Sequence, residues 1–254
     1  MRIAVVSTPR SGNMWLRRLL AFLYGLEERS AHTPDEVDWE RLPGRTILQL
    51  HWRRTPRFTE LLERFGFTTV VLARHPLDTL LSILHFAAHE PETARWLDGR
   101  AGDERLLVGA DPTSAAFVDY STSERARVLV DVSVDWWAAP VLARVRYEDL
   151  VARPESELAR IVEAAGEATA APITHAIRAV TFARLQAEAG NHHFWRGTPG
   201  HWRSLIPAGP ARSIGEAHRP ALRRFGYGLD PDPELKEAVA RARWTGLAIP
   251  AGPG

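Results

Sequence analysis

The sequence predicts an α/β protein with a central parallel β-sheet flanked by helices. Short apolar segments rich in β-branched residues alternate along the chain with segments of helical spacing. Such alternation implies right-handed crossovers between parallel strands, with helices over both faces of the sheet. The chain has 254 residues, which is long enough for one large domain of this class. No linker or internal repeat divides it, so we expect a single domain over residues 1–254.

Four strands are predicted, and each leads into a turn or a helical pattern. They are Arg2–Ser7, Arg45–Trp52, Phe67–Arg74 and Val141–Tyr147. An amphipathic helix follows the first strand, and Pro154–Gly166 has proline at its start and glycine past its end, as helices do. Two regions lack clear periodicity, an insert at Glu90–Val118 and a loop at Gly190–Gly209. Loops of that length in a compact domain are often functional.

Composition excludes several classes of function. The 32 basic and 31 acidic side chains nearly cancel, which argues against bulk nucleic-acid binding. There is no cysteine, so disulfides, thiolate metal sites and a cysteine nucleophile are excluded. The apolar run Ile3–Val6 is too short for a signal-peptide core, and no run approaches the length of a membrane span. We expect a soluble cytoplasmic protein with no nucleic-acid or membrane partner.

The first strand runs directly through a turn into a helix, an arrangement that favours an anion. Backbone N–H groups at a helix N-terminus attract negative charge, and Arg10 adds a cation beside them. The stretch differs from the usual ATP/GTP phosphate loop, because Asn13 stands in place of its lysine and Met14 in place of its magnesium-binding hydroxyl. An ordinary β–α turn is the alternative interpretation.

Two further segments contribute cations. Arg74 ends the third predicted strand, and Ser82 lies about two turns into the next helix. Arg196 and Gly197 lie in the late loop. Taken singly, these could be a structural pivot, a small packing residue and a surface loop.

Together the segments resemble the sulfotransferases that use 3′-phosphoadenosine 5′-phosphosulfate (PAPS). The motifs that carry the resemblance are "TPRSGNMWL", "RHPLDTLLSILHF", "RYEDLVARPESELARI", "VTFARL" and "WRGTPGHW", in the family's order. The resemblance spans residues 2 to about 205, leaves the insert unmatched and is vague in the C-terminal tail. It implies a fold with a P-loop-like turn for the phosphosulfate, PAPS as the donor, and no metal.

The resemblance also implies a nucleotide site. The 5′-phosphosulfate would be wrapped by Arg10, Ser11, Gly12, Asn13 and the backbone of Met14. The adenine would lie between Trp15 and Phe182, with Tyr147 at its edge. The 3′-phosphate would be held by Arg74, Ser82, Arg196 and Gly197. We therefore expect two separate anion pockets, although the aromatic residues could equally be core packing.

The catalytic base implied by the resemblance is His51, at the C-terminal edge of a predicted strand, where open α/β sheets place their sites. Histidine suits proton transfer near neutral pH. Gln49 stands where the family often has a transition-state lysine, so we expect Arg10 and the Gln49 amide to supply the electrostatic help. Trp195 replaces another basic residue. The competing histidines are His32, His85, His89, His192 and His193.

The predicted function is sulfuryl transfer from PAPS to a hydroxyl of a small-molecule acceptor, which releases adenosine 3′,5′-bisphosphate (PAP). A P-loop-type small-molecule kinase and a non-catalytic nucleotide-binding protein are the alternatives. We expect the insert to lie near the acceptor, with an apolar wall formed by Trp52, Phe86, Trp96 and Phe117. The insert's acidic residues could attract a cationic or sugar acceptor or only solvate a loop; they are Asp98, Asp103, Glu104 and Asp111.

Overall fold

The computed structural model describes residues 1–89, 91–189 and 195–248. The described residues form five strands: β1 (Arg2–Ser7), β2 (Glu27–Ala31), β3 (Thr46–Leu50), β4 (Thr68–Ala73) and β5 (Ala143–Arg146). All neighbouring pairs are parallel, and the strand order is β2-β3-β1-β4-β5. The predicted fold class, a parallel sheet flanked by helices, is confirmed.

Helices connect and cover the strands. They are α1 (Asn13–Tyr24), α2 (Pro56–Arg64), α3 (Pro76–Ala87), α4 (Ala115–Thr122), α5 (Glu124–Trp137), α6 (Tyr147–Ala152), α7 (Pro154–Ala165), α8 (Ile173–Ala179), α9 (Phe182–Ala189), α10 (Trp202–Leu205), α11 (Ala208–Ala217), α12 (Arg219–Phe225) and α13 (Glu237–Ala248). Short 3₁₀ segments occur at Pro34–Glu36, Trp39–Arg41, Pro91–Gly99 and Arg105–Leu107. None of the helices in the described ranges has the length and apolar character that a membrane span requires.

The central strand β1 is buried on both faces. Ile3 and Val5 pack with the apolar faces of α1, α7 and α8, whereas Ala4 and Val6 pack with α2, α3 and α5. Successive side chains of a strand point to opposite faces, so a continuous apolar run fills both layers. The run that predicted this strand therefore fixes its central place in the sheet.

The edge strand β2 was not predicted. Its sequence, "EERSA", is mostly exposed, and it pairs with β3 in parallel register. An edge strand has one neighbour and needs no apolar run, so periodicity carries no signal for it. Its pairing brings Ser30 and Ala31 beside Gln49 and Leu50.

The insert is irregular, as predicted, but it is packed into the body of the protein. In its described part, 91–118, Trp96 and Leu107 belong to the large apolar core. Arg125 of α5 and Glu104 of the insert form an ion pair, with side chains 3% and 0% exposed. This pair holds the insert against α5.

The carboxyl ends of all five strands meet at one edge of the sheet. The chain leaves β1 toward Arg10, and the residues that follow the other four strands are His32, His51, Arg74 and Tyr147. Open parallel sheets bind their ligands at this edge. The topology thus gathers residues that are far apart in the sequence.

Candidate active site

A cavity of about 300 Å³ opens at this edge of the sheet. Its lining contains every predicted site residue except Ser11 and Gly197: Arg10, Gly12, Asn13, Met14, Trp15, Gln49, His51, Arg74, Ser82, Tyr147, Phe182 and Arg196. No aspartate or glutamate is among the described residues that line it. A cavity with four arginines (Arg10, Arg17, Arg74, Arg196) and no acidic side chain favours an anionic ligand.

The turn after β1 has an unusual backbone. Arg10 and Gly12 both have positive φ, 66° and 96°. At Gly12 any side chain would overlap the ring of Tyr147, which packs directly on this glycine. Glycine is therefore required here for conformation and for space.

The N-terminus of α1 is open toward the cavity. Gly12 is its N-cap and offers no side chain to the first-turn N–H groups. The Ser11 hydroxyl is buried and makes no hydrogen bond to a described protein atom. Asn13 is turned inward, where its Oδ1 accepts a hydrogen bond from the Ser7 hydroxyl. The turn thus presents unused donors to the cavity, as an anion site requires.

Arg74 lies at the end of β4 and is 6% exposed. Its Nη1 donates to the Arg10 carbonyl at 3.2 Å, and its guanidinium lies over the Tyr147 ring, 4.8 Å from the centroid. Its Nε and Nη2 make no hydrogen bond to any described protein atom. A buried guanidinium with unused donors is costly unless a ligand supplies the acceptors.

The residues predicted for the two anion pockets contact each other. The Nε of Arg10 donates to the Ser82 hydroxyl at 3.3 Å, and its guanidinium lies 4.3 Å from the centre of the Phe86 ring. Arg10 and Arg74 are thereby joined into one cationic wall. Because the 3′- and 5′-phosphates of one nucleotide share a ribose, neighbouring pockets suit such a ligand.

The aromatic residues lie beside this wall. Trp15 packs edge-on against Tyr147 with 6.2 Å between centroids, and its indole N–H donates to the Val180 carbonyl just before α9. The Tyr147 hydroxyl donates to the Gly197 carbonyl. A Cβ at Gly197 would lie 2.8 Å from the Phe182 ring, so only glycine allows this approach. These contacts assemble the late loop onto the cavity.

Asp78 of α3 anchors the same loop. Its carboxylate accepts hydrogen bonds from the backbone N–H groups of Gly200 at 2.5 Å and Trp202 at 3.0 Å. Arg196 projects from this loop into the cavity lining and is exposed. Trp195 also lines the cavity but is buried, with its ring stacked on that of His85 at 5.5 Å. It therefore belongs both to the core and to the cavity wall.

His51 immediately follows β3 and is partly buried. Its Nδ1 lies 2.9 Å from the Ser7 carbonyl oxygen. A carbonyl only accepts, so Nδ1 carries the proton and Nε2 keeps its lone pair when the ring is neutral. Burial lowers the pKa of His51 to about 4; the hydrogen bond to the Ser7 carbonyl acts in the opposite direction, and the nearby His32, Arg10 and Arg17 act in the same direction as burial. At neutral pH the ring is an uncharged proton acceptor.

The competing histidines occupy other places. His32 also lines the cavity. His85 is buried against Trp195 and His89, and His89 is exposed at the end of α3. His192 and His193 lie outside the described residues. Among the described histidines only His51 and His32 therefore line the cavity.

Two of the four residues expected in the apolar wall are elsewhere. Phe86 and Trp96 line the cavity and are stacked, with 5.5 Å between centroids. Phe117 is fully buried in the core, and the Trp52 carbonyl accepts a hydrogen bond from the indole of Trp136. Both were predicted from residue type alone, which does not specify the direction of a side chain.

The acidic residues of the insert do not line the cavity. Glu104 is paired with Arg125, Asp103 with Arg105, and the Asp111 side chain accepts hydrogen bonds within its own turn. Asp98 is exposed. Loop solvation describes the exposed Asp98, whereas Glu104, Asp103 and Asp111 form ion pairs or hydrogen bonds within the fold, which neither interpretation anticipated.

Sequence reasoning missed Arg17 and Glu28. Arg17 lies one turn after Asn13 on α1, is 9% exposed and lines the cavity. Its Nε donates to Glu28 of β2 at 2.9 Å, and its Nη1 to the Gln49 side-chain oxygen at 3.3 Å. Arg17 could have been found, because a residue four positions after Asn13 on a helix lies on the same face. Glu28 could not, because it lies on the edge strand β2, which was not predicted.

The solved structures most useful for comparison are sulfotransferases. Mouse sulfotransferase SULT7A1, complexed with PAP, is 18% identical to this chain, with a TM-score of 0.64 over 87% of this chain and 84% of that one. Retinol dehydratase in a complex with retinol and PAP is 16% identical, with a TM-score of 0.57 over 87% and 81%. Retinol dehydratase in a complex with androsterone and inactive cofactor PAP is 14% identical, with a TM-score of 0.53 over 87% of this chain and 80% of that one.

Similarity at the level of sequence is much weaker. No protein-family model matches the chain, and no curated protein is detectably similar to it. The likeness lies in the order and direction of the strands and in the helices packed around them. The protein therefore has the fold of the sulfotransferases.

Proposed function

We propose that the protein is a sulfotransferase that uses PAPS to sulfate a hydroxyl of a small-molecule acceptor. The observation that carries the proposal is Arg74, a buried guanidinium at the cavity whose Nε and Nη2 have no protein acceptor among the described residues. It lies beside Arg10 and the open N-terminus of α1. This pair of adjacent cationic sites fits a nucleotide with phosphates on both sides of one ribose.

The residues of the cavity fit such a nucleotide. The 5′ group would be held by Arg10, the Ser11 hydroxyl and the N–H groups of the α1 N-terminus. The 3′-phosphate would be held by Arg74, Ser82 and Arg196, and the adenine would lie near Trp15 and Phe182. PAPS, when bound, supplies an activated sulfuryl group, and PAP is the leaving group.

The protein's own residues supply proton transfer and charge. His51 would accept the acceptor hydroxyl's proton at Nε2, while its Nδ1–H stays bonded to the Ser7 carbonyl. Arg10 and the α1 N-terminus would stabilise the negative charge that develops on the leaving phosphate. No carboxylate among the described residues lines the cavity, so we expect a neutral or anionic hydroxyl compound as the acceptor.

The test is incubation of the protein with radiolabelled PAPS and a panel of hydroxylated metabolites, with PAP formation as the readout. We expect label transfer that survives EDTA and is lost in His51→Gln and in Arg74→Met. Protection of the protein by ATP with magnesium, but not by PAP, would favour a kinase. Binding of PAP without transfer to any acceptor would favour a non-catalytic protein. Either result would overturn the proposal.

A further inference from the structure

A chain of polar side chains runs behind His51 from the edge of the sheet. It begins at Glu28 of β2, whose carboxylate accepts from the Nε of Arg17 at 2.9 Å. Arg17 is 9% exposed, so its direction is fixed by this bond and by packing. The next link is the 3.3 Å bond from Arg17 Nη1 to the side-chain oxygen of Gln49.

This bond fixes the orientation of the Gln49 amide. An arginine only donates, so the amide oxygen must face Arg17 and the amide nitrogen must face away. The nitrogen of Gln49 lies 3.3 Å from Nε2 of His51. The amide N–H therefore donates to Nε2, which requires the lone pair of the neutral ring at that atom.

Both ring nitrogens of His51 are thus assigned by their partners. The Ser7 carbonyl requires a proton on Nδ1, and the Gln49 amide requires a lone pair on Nε2. The ionisable groups that face the ring are Arg10 from the turn after β1, Arg17 from α1 and His32 after β2, all of which oppose a positive charge on it. These groups and the Gln49 amide favour the neutral ring, and the Ser7 carbonyl, although it raises the pKa, places the proton of that neutral ring on Nδ1.

We propose that Arg17 and Gln49 are positioning residues that hold His51 as the neutral Nδ1–H tautomer, with its Nε2 lone pair toward the cavity. This inference rests on the proposed function, in which His51 is the general base. In the resting protein the Gln49 amide N–H donates to the Nε2 lone pair and so keeps that atom unprotonated. An acceptor hydroxyl would displace this N–H and donate in its place. Gln49 therefore acts by orienting the ring of His51, and Arg17 supplies the positive charge nearby.

The experiment is an NMR titration of ¹³C,¹⁵N-histidine-labelled protein without nucleotide, with the His51 signals assigned from His51→Gln. In the wild type, we expect a neutral Nδ1–H ring throughout pH 6–8. In Arg17→Met, we expect the His51 pKa to rise by about one pH unit. The substitution removes a nearby positive charge and the hydrogen bond that orients the Gln49 amide.

The second variant, Gln49→Glu, keeps the size of the side chain but replaces its N–H donor with a second acceptor oxygen. Its carboxylate still accepts from Arg17 but also accepts a proton-bearing Nε2, so the His51 pKa should rise by more than in Arg17→Met. Arg18→Met is the matched control, because Arg18 also donates to Glu28, at 3.1 Å, and makes no bond to Gln49. Its His51 titration should match that of the wild type.

An unchanged His51 pKa and tautomer in both Arg17→Met and Gln49→Glu would overturn the inference. If transfer activity is found, its acid limb should move to higher pH in the same order as the titrations. Because the titration uses resting protein, a wild type without transfer activity but with the expected titrations would contradict the proposed function alone.

Discussion

Two arginines of this protein are almost equally buried and yet differ in every other respect. Arg125, 3% exposed, uses all five of its N–H groups on Glu104 and on the carbonyls of Thr93, Trp96 and Arg100. Arg74, 6% exposed, donates from Nη1 to the Arg10 carbonyl, and its Nε and Nη2 have no acceptor within residues 1–89, 91–189 and 195–248. The N–H donors of Arg125 all bond within the protein, whereas two nitrogens of Arg74 have no acceptor among the described residues.

The difference separates a structural charge from a binding charge. Burial of a cation is costly in either case, and only complete hydrogen bonding offsets the cost. In the insert, the protein itself provides that compensation. At the carboxyl edge of the sheet, the described residues provide only the Arg10 carbonyl to Arg74, and in our proposal an anionic ligand completes the compensation. Substitutions of Arg125, Arg74, His51 and Arg196 test this contrast.

Replacement of Arg125 should be the most damaging change. Arg125→Met leaves Glu104 as a fully buried, unpaired carboxylate, and we expect a loss of about 3–5 kcal/mol in the free energy of unfolding. Chemical denaturation measures it. Arg127→Met, on the exposed face of the same helix, is the control and should change stability by about 0.5 kcal/mol or less. Equal losses in the two variants would show that the buried Arg125 stabilises the fold no more than the exposed Arg127 does.

Replacement of Arg74 should spare the fold and impair binding. Arg74→Met removes a buried charge with unused donors, so the free energy of unfolding should stay within about 1 kcal/mol of the wild type or rise. Affinity for PAP should fall about 100-fold, the value of charged hydrogen bonds in a buried site. Calorimetric titration with PAP and with adenosine 5′-phosphate tests this, since equal weakening of both nucleotides would contradict a 3′-phosphate role.

His51 adds a buried group that the fold keeps neutral. Its pKa is lowered to about 4, below the value of about 6.5 in the unfolded chain, so its contribution to stability is present above pH 6.5 and is lost as the pH falls toward 4. At pH 5 the loss should be about 2 kcal/mol. Unfolding of the wild type and His51→Gln across pH 5–8 isolates this effect, and parallel curves would show that His51 titrates normally.

The exposed cation of the cavity should matter least. Arg196 lies on the loop anchored by Asp78 and keeps contact with solvent, so Arg196→Gln should weaken PAP binding only about three- to tenfold. This loss should shrink further at high salt, because exposed charges are screened. A salt-independent loss as large as that of Arg74→Met would mean that the loop buries Arg196 in the complex.

Sequence reasoning found most of the fold and most of the cavity lining. The strands β1, β3 and β4 were visible because apolar, β-branched runs mark strands covered on both faces. The edge strand β5 was visible because its buried Ala143 and Val145 alternate with arginines. The resemblance to sulfotransferases named twelve residues that line one cavity. Their roles remain predictions, as do the single-domain organisation and independence from metal.

What escaped prediction depends on pairing between distant segments. The strand β2, with its sequence "EERSA", has no periodic signal, and without it the partner of Arg17 could not be identified. Phe117 and Trp52 were misplaced because residue type does not give side-chain direction. Whether the two anion pockets are separate stays a prediction; Arg10 of one is hydrogen-bonded to Ser82 of the other.

Local sequence is enough to specify the alternation of strands and helices and the glycine-dependent turn at Gly12, because apolar pattern and backbone conformation are properties of neighbouring residues. Which buried charges find partners depends on the packed fold. Arg74 bonds to Arg10, Arg125 to Glu104 and His51 to Ser7, all at least 21 residues apart in sequence, whereas the Gln49–His51 bond is local. The distant partners are fixed by the packing of the whole sheet.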